Sequence, residues 1–172
     1  MAIHRITPGD ILATRGQSWM SKQVFKTTGG PCTHVGLFLS AGEEPLIIEA
    51  DTRVIIRHLR DSLQDANKAW VLHPIDLSQQ QRIGIIRRAC EFSGKRYGWL
   101  NILLHYLDAT SETRFFSTHF SLTRYPICSE VVGWAYAKEG FYFGQAPQCL
   151  SPAEIFKFAK QKPDKYKIWE IQ

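Results

Sequence analysis

Cys128, His34 and Glu49 are the residues whose types and spacing point most directly to covalent chemistry. Pro126 disfavours helical angles at the residue before it, so a helix is predicted to begin just after it, with Cys128 in its first turn. The field at a helix N-terminus favours a thiolate, the nucleophilic form of cysteine. A cysteine at this place therefore either attacks a carbonyl group or fills the core as a small apolar side chain.

A nucleophilic cysteine needs a base, and His34 is the candidate that a carboxylate accompanies. Two predicted strands, over residues 33–39 and 46–50, form a hairpin whose turn is centred between Ala41 and Gly42. Antiparallel pairing about this centre places His34 directly opposite Glu49, with Cβ atoms about 4.5–5.5 Å apart. Glu49 would then fix the imidazole tautomer and leave the other nitrogen for the thiol. The other histidines are His4, His58, His73, His105 and His119.

Two alternatives remain open for Glu49. A bulge between the strands would turn Glu49 to the other face and leave Asp51 or a backbone carbonyl to orient His34. Glu49 is otherwise a solvated carboxylate on an edge strand. Gly36, two residues after His34, leaves room beside the imidazole for another element to approach.

The rest of the chain predicts an α+β fold, with strands first and helices later. The spacing of Ser78 with Gln81, and of Ser151 with Glu154, is that of capping boxes at helix starts. Residues 108–125 are rich in Ser, Thr and aromatic side chains without a clear period, which predicts a long loop. Strands are predicted over residues 10–14, 33–39, 46–50, 54–57, 70–74 and 166–171, and helices over 18–26, 78–93, 100–107, 128–136 and 151–161.

Length and composition indicate one globular domain over residues 1–172, with 44% hydrophobic and 22% charged residues. The first residues lack the apolar stretch of a signal peptide, and no apolar run reaches transmembrane length, so we expect a cytoplasmic protein. The net charge of +5 is mild. The four cysteines form no CxxC pair and are predicted to be reduced thiols: Cys32, Cys90, Cys128 and Cys149.

Five short motifs, taken in order, resemble the circularly permuted NlpC-type papain-like hydrolases, a superfamily shared with lecithin:retinol acyltransferase-like enzymes. In that branch the order is His, then a polar residue, then Cys. The motifs are Gly9-Asp10-Ile11-Leu12, Thr33-His34-Val35-Gly36, Ile48-Glu49-Ala50, Gly94-Lys95-Arg96-Tyr97-Gly98 and Cys128-Ser129-Glu130-Val131-Val132. The resemblance implies a papain-like fold, in which the nucleophile helix packs against an antiparallel sheet.

The same resemblance implies a role for each site residue. Cys128 looks like the nucleophile, His34 the base and Glu49 the residue that orients it, while Tyr97 looks like the tyrosine near the oxyanion. The alternative for Tyr97 is a packing residue after a helix end. The implied activity is that of a cysteine hydrolase or acyltransferase acting on an amide, ester or thioester through an acyl-enzyme, without metal or cofactor.

The substrate class stays open between a small molecule, a peptide and a lipid-derived acyl group. Phe115, Phe116 and Phe120 either cover an acyl chain as a lid or pack their segment onto the core. No nucleic-acid partner is expected, and transient contact with a membrane surface is left open. The oligomeric state is not assigned.

Three other classes of function remain as alternatives. A structural zinc site would draw on Cys32, His34, His119 and Cys128, although their spacing is not that of a known zinc motif. A papain-like domain without activity would act as a binding module. Nucleic-acid binding would use a lysine-rich end that a solvated surface explains equally well, made of Lys157, Lys160, Lys162, Lys165 and Lys167.

Overall fold

A six-stranded antiparallel sheet forms the centre of the protein. The computed structural model describes residues 5–17, 21–22, 25–26, 29–111, 113, 115–120 and 124–171. The strands are β1 (Ile11–Gly16), β2 (His34–Phe38), β3 (Leu46–Ala50), β4 (Val54–His58), β5 (Ala66–Pro74) and β6 (Tyr166–Glu170). Their order across the sheet is β4-β3-β2-β1-β5-β6. The predicted α+β class with strands early and most helices late is confirmed.

Six α-helices accompany the sheet in the described residues: α1 (Leu59–Leu63), α2 (Gln79–Cys90), α3 (Trp99–Ser111), α4 (Phe115–Phe120), α5 (Cys128–Ala137) and α6 (Pro152–Lys160). Both predicted capping boxes are present, at Ser78 before α2 and at Ser151 before α6. The predicted helix over 18–26 includes residues 18–20 and 23–24, which lie outside the described residues. None of the helices in the described residues combines the length and apolarity needed to cross a bilayer.

Apolar side chains cover both faces of the sheet, which fixes where its helices pack. On one face Val35, Leu37 and Ile48 share a core with Val131 and Val132 of α5. On the other face, a second cluster contains Leu12, Phe38 and Ile47 together with Leu59 of α1. These strand residues alternate with those of the first cluster, so their side chains point to the opposite side of the sheet. Helix α5 therefore lies against β2 and β3, with Cys128 at its first residue.

The predicted loop over residues 108–125 is wrong, because α3 runs on to Ser111 and α4 spans Phe115–Phe120. The hydroxyls of Thr110 and Ser111 donate to the carbonyl of Leu107, 3.0 and 2.6 Å away. Ser and Thr disfavour a helix interior partly because their side chains compete for backbone groups, but here they bond back within the helix. Thr113 then closes the end by donating its backbone N–H to the carbonyl of Asp108 at 3.0 Å.

A buried polar cluster joins the start of β1 to β5 and α2. Asp10 is fully buried, and its carboxylate lies 2.9 Å from His73 Nδ1 and 2.8 Å from Arg82 Nη1. Arg82 also donates to the carbonyls of Pro8 and Pro74. Since an unpaired buried carboxylate is costly, this cluster holds the sheet and α2 in fixed relation.

Candidate active site

Helix α5 presents Cys128 at its N-terminal end, as the position of Pro126 predicts. Ile127 is extended at the N-cap, and its backbone N–H donates to Glu130 Oε2 at 3.0 Å. Asn101 of α3 donates to both oxygens of Glu130, at 3.1 and 2.9 Å, and to the carbonyl of Tyr125 at 3.0 Å. A carboxylate in the first turn suits the helix dipole, and Asn101 ties the start of α5 to α3.

His34 and Glu49 are in contact, although the predicted register of their strands is wrong. Glu49 pairs with Gly36, not with His34. The register is displaced by two residues, so both side chains still share one face. His34 Nε2 lies 3.0 Å from Glu49 Oε2 along the diagonal, and a Cβ at Gly36 would meet Glu49 Cβ at 3.3 Å. The absent side chain of Gly36 thus leaves the space that the contact uses.

The turn explains the displacement. Residues 40–45 connect the two predicted strands, and their midpoint lies between Gly42 and Glu43, one residue after the predicted centre. The hydroxyl of Ser40 accepts from the Leu46 N–H at 2.9 Å, and Gly42 has a φ of 108°. The observed pairs, such as Gly36 with Glu49 and Phe38 with Ile47, are symmetric about this midpoint, which accounts for the two-residue displacement of the register.

The second oxygen of Glu49 is also bonded. Arg57 Nε lies 3.0 Å from Oε1, and the Ser62 hydroxyl donates to the same atom at 3.0 Å. Glu49 is only 4% exposed. Burial alone would raise the pKa of Glu49, but the hydrogen bond from His34, the charges of His34 and Arg57 and the hydrogen bond from Ser62 hold it below its ordinary value. Glu49 is therefore a carboxylate at neutral pH, and the prediction that it is solvated on an edge is wrong.

His34 lies within hydrogen-bonding reach of the Cys128 thiol. Because Nε2 faces Glu49, Nδ1 is the nitrogen left for the sulfur. Burial alone would lower the pKa of His34, but the negative charge and hydrogen bond of Cys128, with those of Glu49, raise it well above its ordinary value. The imidazole thus lies between the thiol, whose proton it can take, and a carboxylate that stabilises the imidazolium formed when it does.

Tyr97 lies beside Cys128, with its hydroxyl in hydrogen-bonding reach of the sulfur. Burial, with the nearby negative charges of Cys128, Asp51 and Glu130, raises the pKa of Tyr97 well above its ordinary value. The phenol consequently stays protonated and can donate a hydrogen bond at neutral pH. Tyr97 therefore lies next to Cys128, and it lines one pocket together with His34 and Glu49.

Gly98 accounts for the close approach of Tyr97. A Cβ at Gly98 would collide with the carbonyl oxygen of Tyr125, and the Gly98 N–H donates to the carbonyl of Pro126 at 3.2 Å. Tyr97 N–H donates to the carbonyl of Thr52 at 3.2 Å. The segment that carries Tyr97 is thereby held between β4 and the start of α5.

The candidate zinc set does not form in the described residues. Those residues contain no group of three or more His, Cys, Asp or Glu side chains placed to hold a metal ion. Cys32 is buried and its Sγ donates to the carbonyl of Pro152 at 3.2 Å; burial, reinforced by the nearby charge of Cys128, raises its pKa. His119 Nδ1 lies 2.9 Å from the carbonyl of Phe115, in α4. All four cysteines are free thiols.

A pocket of about 220 Å³ lies beside His34, Glu49 and Tyr97. Its wall combines polar side chains with apolar surface, to which Ala50 and Ile102 contribute. The polar side chains of this wall can bond a ligand that carries hydrogen-bonding groups. The hydroxyl and charged side chains that line it include Thr14, Thr33, Asp51, Arg57, Ser62 and Asp65.

Sequence reasoning misses Arg57, Ser62 and Asn101, which support the site without facing the thiol. One signal for Arg57 exists: it interrupts the apolar run of β4 as His34 interrupts that of β2. Ser62 and Asn101 are reached only through the three-dimensional packing of α1 and α3. They are common polar residues on helices, and no local pattern distinguishes them.

No protein-family model matches the chain, and no curated protein matches it. Among solved structures, the chain is similar to metalloprotein yiiX from Escherichia coli O157:H7, DUF1105. The two are 20% identical, the similarity covers 96% of each chain, and the TM-score is 0.68. At this identity the likeness concerns the fold.

Proposed function

We propose that this chain is a cysteine hydrolase or acyltransferase with a permuted papain-like fold. The observation that carries the proposal is the continuous contact from the Cys128 thiol through His34 to the Glu49 carboxylate. Such a chain is what activation of a thiol by a base and an orienting group requires. The order of these residues along the sequence supports the permuted branch.

The proposed reaction passes through an acyl-enzyme. His34 Nδ1 takes the proton of Cys128, and the thiolate forms a C–S bond with the carbonyl carbon of an amide, ester or thioester. The carbonyl π electrons move to oxygen, and the Cys128 backbone N–H and the Tyr97 hydroxyl donate to this oxyanion. The oxyanion then collapses, and the leaving group departs with the proton from His34. Water or a second acceptor, deprotonated by His34, releases the acyl group and restores the thiol.

The pocket supports a polar substrate. Its side chains next to His34 are predominantly hydroxyl and charged groups, among them Thr14, Thr33 and Ser62. Such groups can bond the polar atoms of an amide or a peptide, whereas a long hydrocarbon chain offers them no hydrogen-bonding atoms. We therefore place amide-containing small molecules and peptides first among the substrate classes.

A lipid-derived acyl group is the second candidate, and exposed aromatic side chains of α3 and α4 support it. Tyr106, Phe115 and Phe120 are 52%, 52% and 54% exposed, so Phe115 and Phe120 do not pack into the core as one of the two sequence predictions requires. Exposed apolar groups that lie close together often contact apolar ligands or membranes. Phe115 contacts Phe120, with ring centroids 6.0 Å apart.

The described residues do not fit a metal centre built from several protein ligands. The E. coli protein is named a metalloprotein, but the described residues here do not bring three His, Cys, Asp or Glu side chains to one point as ligands. The proposed reaction uses only the chain's own side chains.

Trapping the acyl-enzyme tests the proposal. The protein is mixed with short acyl thioesters and activated amides, quenched in acid, and measured by intact mass and peptide mapping. We expect an acyl adduct on Cys128 that disappears with time, and none on Cys128→Ala. An adduct on another cysteine would refute the mechanism. It would also be refuted if wild-type protein consumed a donor and no adduct formed on Cys128.

A further inference from the structure

Arg57 extends the contact between His34 and Glu49 by one more charged side chain. Glu49 pairs with Ile55 of β4, and Arg57 lies two residues further along that strand. Its Nε lies 3.0 Å from Glu49 Oε1, and its Nη2 lies 3.1 Å from Asp51 Oδ2. Each contact in the series His34–Glu49–Arg57 is thus a diagonal between neighbouring strands, on one face of the sheet.

We propose that Arg57 is a positioning residue of the active site, which acts on the thiol only through Glu49 and His34. This inference rests on the proposed function and adds Arg57 to the series of Cys128, His34 and Glu49. The Asp51 carboxylate pairs with Nη2 of the guanidinium while Glu49 pairs with Nε, so two carboxylates fix the orientation of Arg57. A planar guanidinium held at two points defines the position of the carboxylate that it bonds.

The chemistry of the Glu49 carboxylate explains why such a residue is needed. Glu49 must stay ionised while 4% exposed, although burial favours its neutral form. The charge of Arg57 is one of the causes that hold the pKa of Glu49 below its ordinary value. An ionised Glu49 keeps the proton of neutral His34 on Nε2 and stabilises the imidazolium that forms when Nδ1 takes the thiol proton.

Two other roles for Arg57 make different predictions. A surface ion pair would contribute little to stability, because water and salt screen exposed charges, but this pair joins a buried carboxylate. A direct field of Arg57 on the thiolate would act whether or not Glu49 carries a charge. Only the positioning role makes the effect of Arg57 depend on Glu49.

The test measures how the rate of Cys128 alkylation by iodoacetamide depends on pH, in the full chain and without any substrate. We expect Arg57→Gln to move the acid limb of this profile up by about one pH unit, which lowers the rate at pH 6 about tenfold. Arg57→Lys should recover part of the loss because it keeps the charge. The matched control is Arg60→Gln, since Arg60 is 67% exposed and pairs with Glu44; its profile should equal that of wild type.

A double-mutant cycle decides between action through Glu49 and direct action. In a Glu49→Gln background, Arg57→Gln should change the Cys128 alkylation rate at pH 6 less than twofold, because the carboxylate that Arg57 positions is gone. An equal shift in both backgrounds, or no shift from Arg57→Gln in wild type, overturns the inference. If wild-type Cys128 itself reacts no faster than Cys32, the proposed function fails, and this outcome is distinct from the others. Circular dichroism at the assay temperature confirms that each variant compared is folded.

Discussion

His34 reaches Glu49 on the diagonal between β2 and β3, across the position of Gly36, with 3.0 Å between Nε2 and Oε2. A side chain at Gly36 would enter this space, because its Cβ would lie 2.8 Å from Ile47 Cγ2 and 3.3 Å from Glu49 Cβ. We expect Gly36→Ala to lower the free energy of unfolding by about 1–3 kcal/mol, as overpacking does. It should also slow Cys128 alkylation, because Glu49 shifts relative to His34.

Chemical denaturation and the alkylation rate at one pH check this prediction together. A variant with the alkylation rate of wild type would show that Glu49 does not need the space at Gly36. A variant with unchanged stability would show that the neighbours of Gly36 move aside at no cost.

The sequence predicts the side chains of the site better than the geometry that joins them. Cys128, His34 and Glu49 are found from a helix start and a hairpin, which are local patterns. The register between the strands is missed because the predicted centre lies one residue before the midpoint of the connection over residues 40–45, and Glu49 therefore pairs with Gly36. The face is nevertheless right, since a displacement of two residues preserves the alternation.

Local sequence patterns do not predict contacts between helices that are far apart in the sequence. Asn101 holds the start of α5 through Glu130, and no spacing links a residue of α3 with one 29 positions later. The predicted loop over 108–125 fails for a related reason: the hydroxyl groups that suggest a loop bond back to Leu107 and satisfy a helix instead. Gly98 carries a readable signal, because a glycine after Tyr97 permits close approach of another backbone.

Tyr97 is expected to donate to the oxyanion, so Tyr97→Phe should lower kcat about a hundredfold with little change in KM. Phenylalanine keeps the packing and removes only the hydroxyl. Tyr142→Phe is the control, since Tyr142 is 61% exposed and should leave kcat unchanged. Steady-state kinetics on a short acyl thioester measure both constants. A KM effect alone would place Tyr97 in substrate binding.

Glu49 should make stability depend on pH. Its pKa is lowered on folding, so its contribution is fully present above the unfolded value of about 4.5 and is lost as the pH falls below it. The difference in Tm between wild type and Glu49→Gln should therefore be largest near pH 6 and shrink towards pH 3. Throughout this range the raised pKa of His34 keeps it protonated.

Thermal unfolding at pH 3, 4, 5 and 6 measures this difference. Glu91→Gln is the control, because Glu91 is 55% exposed and pairs with Arg88 at the surface. A difference between wild type and Glu49→Gln that does not vary with pH would mean that Glu49 is not held as a carboxylate.

Phe115 and Phe120 separate the two substrate classes. If the substrate is polar, the double variant Phe115→Ser/Phe120→Ser should have the same ratio of kcat/KM for long acyl thioesters to kcat/KM for short ones as wild type. If an acyl chain contacts α4, kcat/KM for a long thioester should fall about tenfold or more relative to a short one, since each buried CH₂ contributes about 0.8 kcal/mol. Our account predicts the first result.

Competitive alkylation measures whether His34 activates Cys128. Folded protein is treated with limiting iodoacetamide at pH 6.5, and peptide mapping gives the rate at each cysteine. We predict that Cys128 reacts fastest and that His34→Ala slows it at least tenfold, while Cys32 stays inert because burial raises its pKa. Faster reaction at Cys90 or Cys149 with Cys128 inert, or an unchanged rate in His34→Ala, would contradict the account.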